Sequence, residues 1–284
     1  MTYTLRLNNL EFTGVVFVIS AVAGFLGSLT GLGGGVVITP ALTLLLGVDL
    51  RYAIGASLVS VIATSSGAAS AYVREGFSNI RIGLFLEIAT TLGALAGAHL
   101  ATHTPTSALG VIFGFVLLYS AYLSSRPEPP PHSDLHPDPL ALRLRLSGTY
   151  PANSGLQSYV AQRVEAGFAL MFGAGALSGL LGIGSGAVKV IAMDQAMRIP
   201  FKVSTATSNF MIGVTAAASA GVYLKRGYID PGLAMPVMLG VVLGSFLGAR
   251  RLAGAGTHFL RKLFALVVAA LAAEIIYSGF TGKF

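Results

Sequence analysis

Two short stretches of this sequence carry residue types that could meet a ligand. GSLTGLGGGVVITP runs from Gly27 to Pro40, and GLLGIGSGAVKV runs from Gly179 to Val190. Each lies within a longer apolar run of helical character. Glycine inside a helix costs about 1 kcal/mol relative to alanine. Gly31, Gly33, Gly34 and Gly35, and again Gly182, Gly184 and Gly186, therefore predict a break in each helix. A break frees main-chain amides, and the amides that open the resumed helix suit an anion. Ser185 adds a hydroxyl at the second break, and Lys189 adds a cation three residues beyond Gly186. A cation at that depth in an apolar segment is expensive unless partnered. Two readings of Lys189 stand side by side: a counter-charge for an anionic ligand, or an internal ion pair with Asp194 or Glu274.

Polar faces accompany the breaks. In FKVSTATSNFM (201–211), helical spacing puts Ser204, Thr207 and Ser208 on one face and Thr205 and Asn209 on another. LRYAIGASLVS (50–60) carries Ser57 and Ser60 in a similar way. Hydroxyls and amides suit an oxyanion that must later be released, although any one of them also suits a bond between helices. Glu87 and Glu274 fall inside apolar segments and read as proton relays or cation partners; Glu87 reads equally well as a side chain reaching the interface. A P-loop would need a Lys-Ser/Thr pair after its glycines, and none follows here. There is no cysteine, which excludes thiolate metal sites and cysteine catalysis. No Ser/His/Asp set or usefully spaced carboxylate pair suggests an enzyme. No cofactor and no metal is expected: His132, Asp134, His136 and Asp138 read as a solvated polar linker.

The elements that must hold these residues are membrane spans. Of the 284 residues, 54% are hydrophobic and only 10% are charged. Mean hydropathy is +0.76. Soluble domains carry about 25% charged residues, and apolar runs of about 20 residues, the length that crosses a bilayer, recur along the chain. The net charge of +7 then concerns loop placement, not nucleic acid. With no Trp, an interfacial aromatic belt falls to Tyr52, Tyr72, Tyr119, Tyr122, Tyr223 and Tyr277.

The chain is also one unit written twice. Adding 151 to positions 24–101 gives positions 175–252 without a gap: Gly31, Gly33 and Gly35 meet Gly182, Gly184 and Gly186, Ser57 meets Ser208, and Thr64 meets Thr215. Residues 1–125 form the first transmembrane repeat, 126–160 a Pro-rich cytoplasmic linker with a small hairpin, and 161–284 the second repeat. The period-two alternation of LALRLRL (140–146) points to strand there. If each short piece after the glycines crosses the membrane, the repeats are inverted. That model puts 12 Lys and Arg on the linker face and 5 opposite, as the positive-inside rule favours. The glycines Gly93/Gly97 and Gly240/Gly244/Gly248 read as close helix packing.

GSLTGLGGGVVITPAL, GLLGIGSGAVKV, VSTATSNFMIGVTAAASAGVYLKRGYIDP and VLGSFLGARRL together resemble the TauE/SafE family of sulfite and organosulfonate exporters, also grouped with toluenesulfonate-uptake permeases. Ile191 departs from the pattern where the first repeat has Pro40, which makes the second break less sharp; Ser185 stands where the first repeat has Gly34. The resemblance implies an all-α integral membrane protein of two inverted repeats, about five helical segments each, the first broken at its Gly-rich motif. It implies a multi-pass secondary transporter of small anions in the cell's inner membrane. The site carried over comprises the glycine clusters, Ser57, Ser185, Lys189, Thr205, Ser208 and Asn209. The partners are a small anionic substrate and the lipid bilayer, with proton coupling and homo-oligomerisation left open. An anion channel and a non-transporting membrane scaffold are the alternatives.

Overall fold

The computed structural model describes residues 8–30, 35–74, 78–125, 138–152, 155–252 and 257–281. Before the linker come α1 (Asn9–Thr30), α2 (Gly35–Leu46), α3 (Leu50–Arg74), α4 (Ile80–His103) and α5 (Thr106–Ser125). The short α6 (Pro139–Arg143) and an antiparallel hairpin, β1 (Ser147–Ala152) and β2 (Gly155–Val160), lie within it. Then come α7 (Val164–Leu181), α8 (Gly186–Ile191), a π-helical turn (Ala192–Ala196), α9 (Phe201–Lys225), α10 (Pro231–Leu252) and α11 (Thr257–Phe280). The starts of α2, α3 and α4 and those of α8, α9 and α10 differ by the same 151 (186−35, 201−50, 231−80). Equivalent residues also start equivalent helices. Asn79 Oδ1 accepts from the amide of Ile82 at the start of α4, and Asp230 Oδ1 accepts from the amide of Gly232 at the start of α10.

Packing follows the duplication. α1 lies on α10 and α4 on α7, the same pairing with the halves exchanged; α3 lies on α9 and α5 on α11. Gly55 sits against the Tyr228 carbonyl just beyond α9, and Gly213 against Ser65 farther along α3, so α3 and α9 run in opposite directions. Gly114 against Ala272 and Ile276, with Gly279 against Ser107 and Val111, gives α5 and α11 the same opposition.

Glycine seams let the other pairs approach closely. On α4, Gly93 and Gly97 press on the backbone at Phe172 and Ala176 of α7; on α7, Gly175 and Gly179 press on Thr90 and Ala94 of α4. Gly240 and Gly244 of α10 meet Phe17 and Ala21 of α1 in the same manner. A side chain at these positions would strike main chain, the arrangement expected of small-residue helix interfaces.

The face of α4 opposite its seam presents Leu84, Ile88, Leu92 and Leu95, each 41–57% exposed. An apolar stripe of that length suits contact with lipid. Among the described residues, α4 and α7 are long and apolar enough to cross a membrane, and shorter apolar helical stretches occur at Leu10–Leu26, Gly35–Leu46, Leu50–Ser65, Thr106–Tyr122, Pro231–Leu247 and Leu266–Phe280. α9 has 25 residues but a lower hydropathy, because it carries Ser204, Thr207, Ser208, Thr215 and Ser219. All five are buried among the other helices and need no apolar surface.

Three local expectations are corrected. Residues 139–143 are helix, not strand, because Asp138 caps the turn and Pro139 starts it. Asp138 Oδ1 accepts from the Leu140 amide at 2.8 Å, and its Oδ2 accepts from the Val164 amide at 3.0 Å, tying the linker to the start of α7. The hairpin begins only at Ser147. Tyr223 does not stand in an interfacial belt: it is fully buried and its hydroxyl donates to the Leu180 carbonyl. Glu87 does not reach out to an interface either, being 7% exposed.

Candidate functional site

The site is built around the end of α7. That helix stops at Leu181, and Gly182 (φ 68°), Gly184 (φ 72°) and Ser185 (φ 45°) adopt left-handed backbone before α8 opens at Gly186. Glycine tolerates this geometry and serine pays a strain cost for it. The carbonyls that α7 can no longer satisfy find other partners. Tyr223 of α9 donates to Leu180, and Ser57 of α3 donates to Gly182 at 2.9 Å. The segment after the break runs on through α8 into the π turn, and Pro40, the counterpart of Ile191, lies within α2 without ending it.

The two glycine motifs meet here. Gly35, at the start of α2, lies against Ser57, Val61 and the Gly182 carbonyl. Ser57 Oγ is also 3.4 Å from the Gly35 carbonyl. Its counterpart Ser208 donates to the Gly186 carbonyl at 3.2 Å, which is the same contact in the other half. Both hydroxyl protons therefore secure backbone at the breaks. Among the described residues, the hydroxyl of Ser185, which is 3% exposed, has no partner, and the Thr205 hydroxyl is likewise buried and unpaired. Asn209 is half-buried on α9. Gly31, Gly33 and Gly34 lie outside the described residues. Apolar side chains close the break: Ile54 packs on Gly182, Val61 and Ile212 on Gly184, and Ile212 on Gly186.

Lys189 is completely buried on α8, one turn beyond Ser185, whose carbonyl accepts its amide. Its ammonium donates to Thr215 Oγ1 on α9. Thr215 Oγ1 in turn donates to Glu87 Oε1 on α4 at 2.7 Å. Thr91 donates to the same oxygen at 3.1 Å, while Glu87 Oε2 is buried without a partner among the described residues. The acid facing Lys189 is thus Glu87, reached through one hydroxyl. Of the partners read from sequence, Glu274 is exposed on α11 and Asp194 makes interactions of its own. Thr215 was visible in the sequence only as the counterpart of Thr64. The signal that could have found the pair was depth, since Glu87 and Lys189 are opposite charges in the interiors of apolar segments.

The sequence profile of the sulfite exporter TauE/SafE family matches residues 16–275. The chain belongs to the TauE/SafE family. It is 28% identical over 273 residues to the probable membrane transporter protein YunE of Bacillus subtilis, covering 93% of this chain and 97% of that one. It is 27% identical over 259 residues to a probable membrane transporter protein of Xylella fastidiosa, covering 89% and 91%. No solved structure matches significantly. The TauE/SafE chain is therefore a membrane transporter, and its apolar outer stripes are the surfaces such a protein turns to lipid.

Proposed function

We propose that this TauE/SafE chain is a secondary transporter of small anions, with sulfite, related sulfur oxyanions or short organosulfonates as its cargo. It works by alternating access between two inverted halves in the cell's inner membrane, with residues 126–160 on the cytoplasmic side. The observation that carries this is the convergence of the two glycine motifs, with Gly35 against Gly182 and a buried Ser185 hydroxyl at the break that has no partner among the described residues. Broken helices in equivalent places of two halves are where transporters bind cargo. The inverted arrangement is supported by the repeat offset and by α3 and α9 running in opposite directions. The choice of cargo is supported by the family's description as sulfite exporters.

The amides that open α8 have no acceptor within the helix. With Ser185 they supply donors to an oxyanion, while Lys189 supplies positive charge one turn away. Ile54, Val61 and Ile212 cover the break, so cargo enters only after α3 and α9 shift. Purified protein reconstituted into liposomes should exchange labelled sulfite, thiosulfate or isethionate with saturation and counterflow. Flux linear in concentration would indicate a channel instead. Absence of exchange and of thermal stabilisation by every anion would overturn the proposal.

A further inference from the structure

We propose that Glu87 is the proton-binding residue of this transporter, and that its protonation frees Lys189 to balance the charge of the anionic cargo. The proposal rests on the transport reading above and deepens it.

The geometry is a complete hydrogen-bonded chain between a buried cation and a buried acid: Lys189 Nζ to Thr215 Oγ1 to Glu87 Oε1. Its three members are at most 7% exposed. The chain joins the halves, since Glu87 stands on α4 and the other two on α8 and α9. Among the described residues, Glu87 Oε1 receives two hydroxyl donors and Oε2 none. A buried carboxylate oxygen without a donor is costly. A proton added at Oε2 removes the negative charge without displacing either donor. Lys189 then lacks its counter-charge, in surroundings where a lone cation is expensive. An anion at the adjacent break, one turn back along α8, restores neutrality. Proton and monoanion therefore bind together with no net charge, and both leave together.

The neighbouring charges leave this role to Glu87. α7 carries one ionisable residue, Glu165, in its first turn. The ionisable groups of α9 are Lys202, Tyr223 and Lys225, towards its ends. On α4 itself, Arg81, His99 and His103 lie near the ends. Asp194, 5% exposed on the π turn, has partners of its own. The equivalent positions in the other half, Ile38, Thr64 and Met238, hold no charge. Among the described residues, the duplicated fold thus has one such site, which sets one proton per monoanion.

Infrared difference spectroscopy of the reconstituted protein during acid–base titration tests the site without any substrate. Among the carboxyl bands that appear on acidification, one should be present in wild type and in Asp194→Asn, missing in Glu87→Gln, and displaced in Thr215→Val, which keeps both charges and cuts the bridge. An unchanged band in Glu87→Gln overturns the proposal, whether or not any anion moves. A second measurement uses isethionate, whose charge is constant with pH. Electroneutral coupling predicts about tenfold accumulation per unit of pH gradient, acid outside, equivalent to about 1.4 kcal/mol; Glu87→Gln should lose that dependence. Accumulation in Glu87→Gln that still follows the gradient refutes the coupling. Failure of wild type to move any anion refutes the transport reading, while the infrared band alone decides Glu87.

Discussion

Two alanine substitutions, two residues apart on α7, should change stability in opposite directions. Gly175 faces α4, where an added Cβ would strike the main chain of Thr90. Gly173 is exposed, and an added Cβ there meets nothing within 4 Å. Gly173→Ala should stabilise by about 1 kcal/mol, the difference between the two residues in a helix interior. Gly175→Ala receives the same benefit, but backbone cannot rotate aside as a side chain does. The helices must separate, and neighbouring contacts at Gly93, Gly97 and Gly179 along the seam loosen with them. Overpacking of this kind costs about 1–3 kcal/mol. The gap between the two variants is then the overpacking cost itself, about 1–3 kcal/mol. Thermal unfolding in one detergent, followed by helical circular dichroism, compares them directly. Equal shifts for both variants, or a stabilised Gly175→Ala, would mean that α4 and α7 do not pack through this seam. The placement of Glu87 opposite Lys189 would fall with it.

Three further outcomes are expected. Ser57→Ala should cost about 1–3 kcal/mol, because it leaves the buried Gly182 carbonyl unpaired. Ser208→Ala should cost less, about 0.5–1.5 kcal/mol, because the Gly186 carbonyl also faces a helical amide four residues on; equal losses in thermal unfolding would contradict this asymmetry. Asp138→Ala should lose about 0.5–2 kcal/mol as a helix cap. Backbone amides, chiefly that of Val164, hold the Asp138 carboxyl below its ordinary pKa. Its stabilisation is therefore present above the usual carboxylate range and fades as pH falls through the lowered value; a wild-type minus Asp138→Ala difference that grows on acidification would refute it. Gly184→Ala should cost about 1–2 kcal/mol for left-handed backbone, plus a clash with Ile212 Cγ2 at 3.0 Å. Ile212→Ala should relieve the clash, so the double variant should differ from additivity by at least about 0.5 kcal/mol; strict additivity would remove Ile212 from contact with the break.

Much of the framework was legible because the chain repeats itself. An ungapped offset carries the start of α2 onto α8, α3 onto α9 and α4 onto α10. Residue type at those points, such as Asn79 and Asp230, fixes where helices begin. Glycines at four-residue spacing could be read as seams because only backbone contact requires them. Side-chain partners were less legible. Sequence spacing places Ser57 and Ser208 on inward faces, but it does not say that their protons go to Gly182 and Gly186 carbonyls. Nor does it give Lys189 its partner, because Glu87 lies 102 positions earlier (189−87) and meets it only through packing of α4 on α9. LALRLRL misled for a local reason: Asp138 and Pro139 start a helical turn, and that capping outweighs alternation over so short a run.

The duplication and the charge pair point to the same physical constraint. Two equivalent halves would give both breaks the same environment, and a site with identical halves has no built-in preference for where its charge sits. Lys189 replaces the isoleucine of the first half, and Glu87 replaces the methionine of the second, so this charge pair has no counterpart at the equivalent positions. The frame supplies close-packed glycine seams. Ile54, Val61 and Ile212 pack on the glycines of the break. Under the proposed coupling, the buried charges would supply the condition for opening: an uncompensated Lys189 is costly, whereas Lys189 with either Glu87 or an anion is not. Under that coupling, such a structure has two neutral states and penalises the charged states between them, which is what moving an anion without leaking protons would require.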